Sequence, residues 1–462
     1  MNFIKTLFRP VDMTEGSPAS KITTFAIPML IGNVAQQLYN TVDSIVVGKY
    51  VGDNALAAVG SASPIYNLLL VLFVGISTGA TIIVSQYVGA KAREDLSKSI
   101  GASILLTIVS SLIIMVAGPL LARPLLELLN TPESIIDDCQ AYLVILFLGL
   151  MGMSFYNMLS GILRGLGDSL SALIFLLVAT ALNIGLDIWF VAGFQMGVAG
   201  VALATVIAQL VSSVLCFIRL AKMREFFDLK WKYIRFSGHF STDIIKLGLP
   251  SGLSQAIFSL SMVVVQSLTN SFGEQIIAAS VIVMRVDGFA MMPNFSFGGA
   301  MTTYVGQNVG AKKPERIYKG VKQGTLIAMA VSAVIVGIIL IFGKYLMGLF
   351  TDTEELVSIS NHCMQILAVG YVAMGASQSF QGSMRGAGDT LTPMWLALLT
   401  TVAIRVPVAY IMAAVTKSQE YPNGRYESLY ISLLLSWCIG AILSFVFYLK
   451  GPWRKKIRII EE

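Results

Sequence analysis

Charge is what this sequence has least of: Asp, Glu, Lys and Arg make up 13% of its 462 residues, against 55% that are hydrophobic. A soluble domain carries about twice that share of charge, so a water-soluble globular chain is excluded. Histidine is nearly absent, with only His239 and His362, both at expected helix ends or loops. The four cysteines (Cys139, Cys216, Cys363, Cys438) are scattered without a CxxC spacing. Neither a disulfide framework nor a thiolate or imidazole metal site is expected from them, and no cofactor is implied. A His/Ser/acid cluster is missing too, which argues against a membrane-embedded enzyme.

What the chain has instead is apolar length. Runs of roughly 20 or more apolar residues, each enough to cross about 30 Å of hydrocarbon as a helix, recur throughout. Twelve spans are expected, at 22–47, 56–87, 99–121, 138–163, 170–192, 197–219, 244–270, 276–309, 323–343, 356–383, 391–414 and 428–449. The run before Arg9, Pro10 and Asp12 is too short for a secretory signal, so the first span is expected to stay in the mature protein. Of the 32 Lys and Arg residues, Lys49, Arg123, Lys344, Lys417 and Arg425 fall on one face and Arg285 and Arg405 inside spans. All the others sit in the N-terminal arm, the even-to-odd loops and the tail, which puts both termini in the cytoplasm of a cell-membrane protein. These basic loops read as topology signals, not as nucleic-acid contacts.

Comparing the chain with itself reveals a duplication. QYVGAKARE (86–94) matches QNVGAKKPE (307–315), GILRGLGDS (161–169) matches GSMRGAGDT (382–390), and VGDNALAA (51–58) matches FGEQIIAA (272–279), all displaced by 221 residues. Pro28 and Pro250 lie one residue off that offset. The expected fold is an all-α membrane protein of 12 transmembrane helices in two parallel six-helix repeats, with a substrate path at their interface. The expected organisation is an N-terminal lobe over 1–220, a charged cytoplasmic linker over 221–243, a C-terminal lobe over 244–450 and a tail over 451–462. The R-G-x-G-D-[ST] elements read as tight turns, with a glycine ending one helix and Asp capping the next. VGAK reads as a helix end, lacking the G-K-[ST] of a phosphate loop.

Three acids fall inside expected spans: Asp43, Asp187 and Asp287. Ionisable groups there are costly and face a cavity or a partner, which makes each a candidate functional residue. Asp43 and Asp187 each lie six residues from the outer end of their spans, about 9 Å deep, so the two can meet. Asn183 shares a helix face with Asp187 at i, i+4. Thr205 sits at a similar depth in the next span, while Gln36, Tyr39 and Asn40 lie on turns beside Asp43. At the 221 offset Val264 and Val408 replace the two acids, so this polar nest belongs to the first half only. A carboxylate raised by desolvation and a like-charged neighbour can load and release a cation near neutrality. Asp287, beside Arg285, and Arg405 lie near mid-span in the second half, as an ion pair or as cavity lining. Aromatic and methionine residues such as Tyr39, Met291, Met292 and Phe295 read mostly as packing, with a minority suited to planar lipophilic cations.

Together, IPMLIGNVAQQLYNTVDSIVVGKYVG, LRGLGD with MRGAGD, NIGLDIWFVAGFQMGVAGVALAT and MMPNFSFGGAMTTYVGQNVGAK resemble the multidrug and toxic compound extrusion family over about 20–450. The resemblance implies two six-helix lobes around a central cleft, alternating access, and export of drugs and organic cations against protons or sodium. It also implies that Asp43, Asn183, Asp187 and Thr205 form the cation-coupling network, as in DinF-type relatives. NorM-type relatives also carry acids in the seventh and tenth spans; here Gln255 is the nearest polar candidate in the seventh, and no acid lies between Glu355 and Asp389. That departure favours protons, with sodium at Asp43 and Asp187 as the alternative. A monomer in the lipid bilayer, of the bacterial inner membrane, is expected. The competing reading is a flippase for a lipid-linked saccharide or lipid, whose pyrophosphate calls for more membrane cations than Arg285 and Arg405.

Overall fold

The computed structural model describes residues 9–129, 131–236, 238–455 and 457, apart from the side chains of Asn40, Asp43, Ser44, Asp53, Asn54 and Leu56. The described residues are mostly helical and contain no strand. Helices α1 (Pro18–Tyr50), α2 (Asp53–Gly89), α3 (Arg93–Leu128), α4 (Glu133–Leu148), α5 (Leu150–Gly165), α6 (Ser169–Asp187) and α7 (Gly197–Lys222) come first. After them run α8 (Gly238–Ser271), α9 (Glu274–Gly310), α10 (Pro314–Gly348), α11 (Glu354–Gly386), α12 (Leu391–Ala397), α13 (Arg405–Val415) and α14 (Glu427–Lys450). Among the described residues, 10 helices are long and apolar enough to cross a membrane, or 11 if the bent α4–α5 pair is one span.

The stretch expected as one helix over 138–163 is two, bent by 51° at a break between Leu148 and Leu150. The break falls at Gly149, where a Cβ would come within 2.1 Å of Val206 Cγ2. The absence of a side chain lets α7 press into the bend.

Contacts divide the chain into two compact units, Met1–Asp12 with Ile31–Gly252, and Met13–Leu30 with Leu253–Glu462. In the first, Gly75 and Gly79 of α2 meet Gly248 and Gly252 of α8. A Cβ on Gly79 would stand 2.3 Å from the Ile244 carbonyl oxygen, and one on Gly75 would stand 2.6 Å from Gly252 Cα. Small residues four apart on both helices bring the backbones together, which is how packing holds helices where lipid removes the hydrophobic drive. A second seam joins α2 to α5, where a Cβ on Gly161 would meet Ser77 Oγ at 2.3 Å. Thr81 Oγ1 donates across that seam to the Gly161 carbonyl at 2.9 Å. In the second unit Gly382 of α11 lies against α9 in the same way, with a Cβ 2.2 Å from the Gly298 carbonyl oxygen.

The repeated sequence blocks become repeated backbone. Positive φ recurs at Gly52 and Gly273 (110° and 96°), Lys91 and Lys312 (both 53°), and Gly167 and Gly388 (92° and 85°). At the RGxGD turns Asp168 accepts from Ser171 N–H at 3.0 Å and Asp389 from Thr392 N–H at 3.1 Å, so both are helix caps. In VGAK the left-handed residue is the lysine and not the glycine, with Ala92 and Lys313 N–H closing six-residue rings onto Tyr87 and Asn308 carbonyls.

The segment after α7 is lashed onto α3 of the first unit. Arg93 donates to the carbonyls of Glu225 and Arg224 and to Asp228 Oδ1, at 2.9, 2.6 and 2.9 Å. Phe227 is buried among Leu96 and Ile100. The hydrogen bond from Arg93, followed by the charges of Arg93, Lys230 and Lys232, holds the Asp228 carboxyl below the usual range against its partial desolvation. A depressed carboxylate contributes above its unfolded value of about 3.9 and loses that contribution as pH falls through the lower folded value. The docking is therefore expected to hold at neutral pH and to weaken only in acid. Arg93→Ala should expose the segment, read as faster tryptic cleavage after Arg224, Lys230 or Lys232; an unchanged digestion pattern would refute the docking.

In the second unit the approach to α1 is fixed by carbonyls instead. Arg316 donates to those of Met13 and Gly16 at 3.0 and 2.7 Å, and Lys313 to that of Thr14 at 2.9 Å. The QNVGAKKPER block thus has a structural use that its charge alone did not reveal.

Candidate functional site

The polar nest of the first unit is built from α1, α6 and α7. Asn183 and Asp187 lie one turn apart on α6, and both side chains are fully buried. With the Asn183 amide oriented to satisfy both neighbours, its nitrogen donates to Asp187 Oδ2 at 3.0 Å. Its oxygen then accepts from the Thr205 backbone N–H at 3.3 Å. Thr205 Oγ1 in turn lies 3.2 Å from the Tyr39 hydroxyl. A continuous path of hydrogen bonds therefore runs from Tyr39 through Thr205 and Asn183 to Asp187. Tyr39 is the member whose role the sequence left ambiguous, since an aromatic residue on an apolar helix also reads as packing.

Gln36 is half-buried three residues before Tyr39 on the same helix. Asp43 comes one turn after Tyr39 on α1, but its side chain and that of Asn40 lie outside the described residues. Asp187 is also the last α-helical residue before a π-helical turn, Ile188–Gly193. Wider turns of this kind gather at functional positions. Beyond Asp187, Trp189 and Phe190 stack at 5.7 Å and Trp189 is 57% exposed, as suits an aromatic anchor near the membrane surface.

The second unit brings together a different set. Asp287 of α9 is half-buried and accepts from the Tyr371 hydroxyl of α11 at 2.7 Å. Arg405, at the start of α13 and only 5% exposed, makes no ion pair within 4.0 Å of Asp287 among the described residues. The phenol occupies the carboxylate that the sequence offered to the guanidinium. Arg285 is exposed on α9 and takes no part. Behind Tyr371, Asn294 Nδ2 donates to its carbonyl at 3.2 Å and Ser332 Oγ to Asn294 Oδ1 at 2.7 Å. Tyr371 and Asn294 were not singled out by sequence, because one polar atom inside a long apolar run carries no periodic signal.

This architecture has known relatives. A probable multidrug resistance protein of Bacillus subtilis (strain 168), YoeA, is 27% identical over 94% of this chain and 94% of its own. YpnP of the same organism, also described as a probable multidrug resistance protein, is 29% identical over 96% and 97%. A crystal structure of a MATE protein in complex with MaL6 superposes with a TM-score of 0.89 at 24% identity, covering 98% of this chain and 99% of that one, a likeness of fold. The MatE family pattern matches twice, at residues 28–189 and 250–411. Those matches begin at Pro28 and Pro250, the two prolines inside α1 and α8. With one family module in each half of a multi-pass membrane chain, the protein belongs to the MatE family, whose members are transporters and not enzymes.

Proposed function

We propose that this protein exports organic cations, drugs among them, in exchange for an inward-moving cation by alternating access. The proton is the favoured ion, and sodium held by Asp43 and Asp187 the alternative. The observation that carries this reading is the path Tyr39, Thr205, Asn183, Asp187, which ends on a fully buried carboxylate inside a membrane span. Such a group is too costly to keep there for packing alone. Asp43, one turn beyond Tyr39, is the second carboxylate of the site. The names of the relatives support the substrate class, and the absence of an acid between Glu355 and Asp389 favours a DinF-type over a NorM-type member.

The same reading takes α1 as the twelfth span, since its 33 residues extend about 50 Å. It makes the halves two parallel six-helix repeats, 1–220 and 244–450, joined by a cytoplasmic linker, with both termini inside. The recurrence of left-handed residues at the 221 offset supports that repeat. The working form is a monomer in the cell membrane, without nucleic acid.

The test is dye movement in proteoliposomes under an imposed proton or sodium gradient. Movement of a fluorescent organic cation that tracks the proton gradient and vanishes in Asp43→Asn is the expected result. Movement that tracks sodium would change the ion and keep the site. No movement under either gradient would overturn the proposal and lead to lipid-linked substrates.

A further inference from the structure

A guanidinium with two of its three nitrogens buried and unpaired is rare enough to need a reason. Arg405 is 5% exposed, and its Nε and Nη1 are sealed with no hydrogen-bond acceptor. Leaving such donors unmet costs their full desolvation, and more for a charged group than for a neutral one. The carboxylate of Asp287 attracts Arg405 from beyond the 4.0 Å of an ion pair, while the Tyr371 hydroxyl holds its Oδ1. The other titratable groups facing that carboxylate are Tyr371 itself from α11 and Tyr430 from α14, while Arg285 of its own helix is exposed. The partner of α9 across α10, Ser332, is bound to Asn294 and does not titrate.

The helix that carries Arg405 has a built-in way to move it. Residues Leu398–Ile404 form a π-helical turn that ends where α13 begins with Arg405. Converting that turn to α geometry changes the register by one residue, which rotates α13 by roughly 100°. A turn with two discrete geometries is a two-state element of the kind that switches use.

We propose that Asp287 is a second proton-binding carboxylate, located in the second unit, and that Arg405 is the internal cation that displaces its proton. With Arg405 held apart, the proton sits on Oδ2 while Tyr371 bonds Oδ1. When Arg405 swings in, the proton leaves to water and the guanidinium neutralises the carboxylate, so that no other bond is made or broken. The inference deepens the transport reading and rests on it. It adds a proton site in the half where the acids of the first unit are replaced by valine.

The test counts carboxyl groups by infrared spectroscopy on the purified protein in nanodiscs, as difference spectra between acidic and alkaline buffer. Protonated carboxyls shielded from water absorb apart from exposed ones. Asp287→Asn should remove one such component, Tyr371→Phe should shift it, and Asp187→Asn should leave it in place. Arg405→Gln should remove it from the difference spectrum, since nothing then competes with the proton and the group stays protonated in both buffers. Should Asp287→Asn fail to fold, Arg405→Gln and Tyr371→Phe carry the test. An Asp287→Asn spectrum identical to wild type, or an Arg405→Gln titration unchanged from wild type, overturns the proposal. Neither outcome touches the role of Asp187, which is decided by gradient-driven export.

Discussion

Gradient-driven dye export should fall at least tenfold in Asp187→Asn, while the protein still inserts and elutes as a single folded species. The substitution keeps the shape of the side chain, and the new amide can still accept from Asn183, whose nitrogen now lies 3.0 Å from Oδ2. What it removes is the capacity to change charge. One proton crossing 100 mV carries about 2.3 kcal/mol, which supports more than a tenfold solute gradient, and an uncoupled carrier forfeits all of it. Downhill dye equilibration should survive in the variant, because alternating access does not require the charge. Normal uphill export by Asp187→Asn would remove Asp187 from the mechanism and leave the hydrogen-bonded path as a structural feature.

Gly79→Leu should abolish folding of the first unit. Its side chain would start 2.3 Å from the Ile244 carbonyl oxygen and 2.7 Å from Gly248 N, and both are backbone atoms that cannot swing aside. Overpacking a well-packed interior costs about 1–3 kcal/mol when side chains can yield, so a backbone collision belongs at or above the top of that range. Gly60→Leu is the control, since a Cβ there meets nothing within 4 Å. The expected reading is loss of the monodisperse elution peak for Gly79→Leu and its retention for Gly60→Leu. Equal behaviour of the two would mean that α2 and α8 do not approach closely at Gly79.

The spans were legible because hydrocarbon demands long apolar runs, and 56–87 or 276–309 could hardly be read otherwise. The bend at Gly149 was not, because it depends on Val206, 57 residues away and on another helix. The turns at Asp168 and Asp389 were readable from local chemistry, whereas the left-handed Lys91 and Lys312 were hidden by the expectation that glycine takes that place. At the site, the i, i+4 spacing of Asn183 and Asp187 pointed to their shared face. The link through Thr205 to Tyr39 needed the packing of α1 on α7, which no spacing encodes. Asp287 stood out as an acid, but its partner Tyr371 was lost among aromatics that serve as packing.

A π turn holds one residue more than the α turn it replaces, so in genetic terms a helix that carries one is a codon longer than it needs to be. Among the described residues there are two such places, Ile188–Gly193 directly after Asp187 and Leu398–Ile404 directly before Arg405. In each case the extra residue adjoins a buried ionisable side chain. A single-codon deletion at either place would turn the segment into plain α-helix with the aim of the residues beyond it kept, so the ionisable side chain stays in place while the turn loses its second geometry. The informative lesion here is therefore an in-frame deletion, which a library of point substitutions never samples.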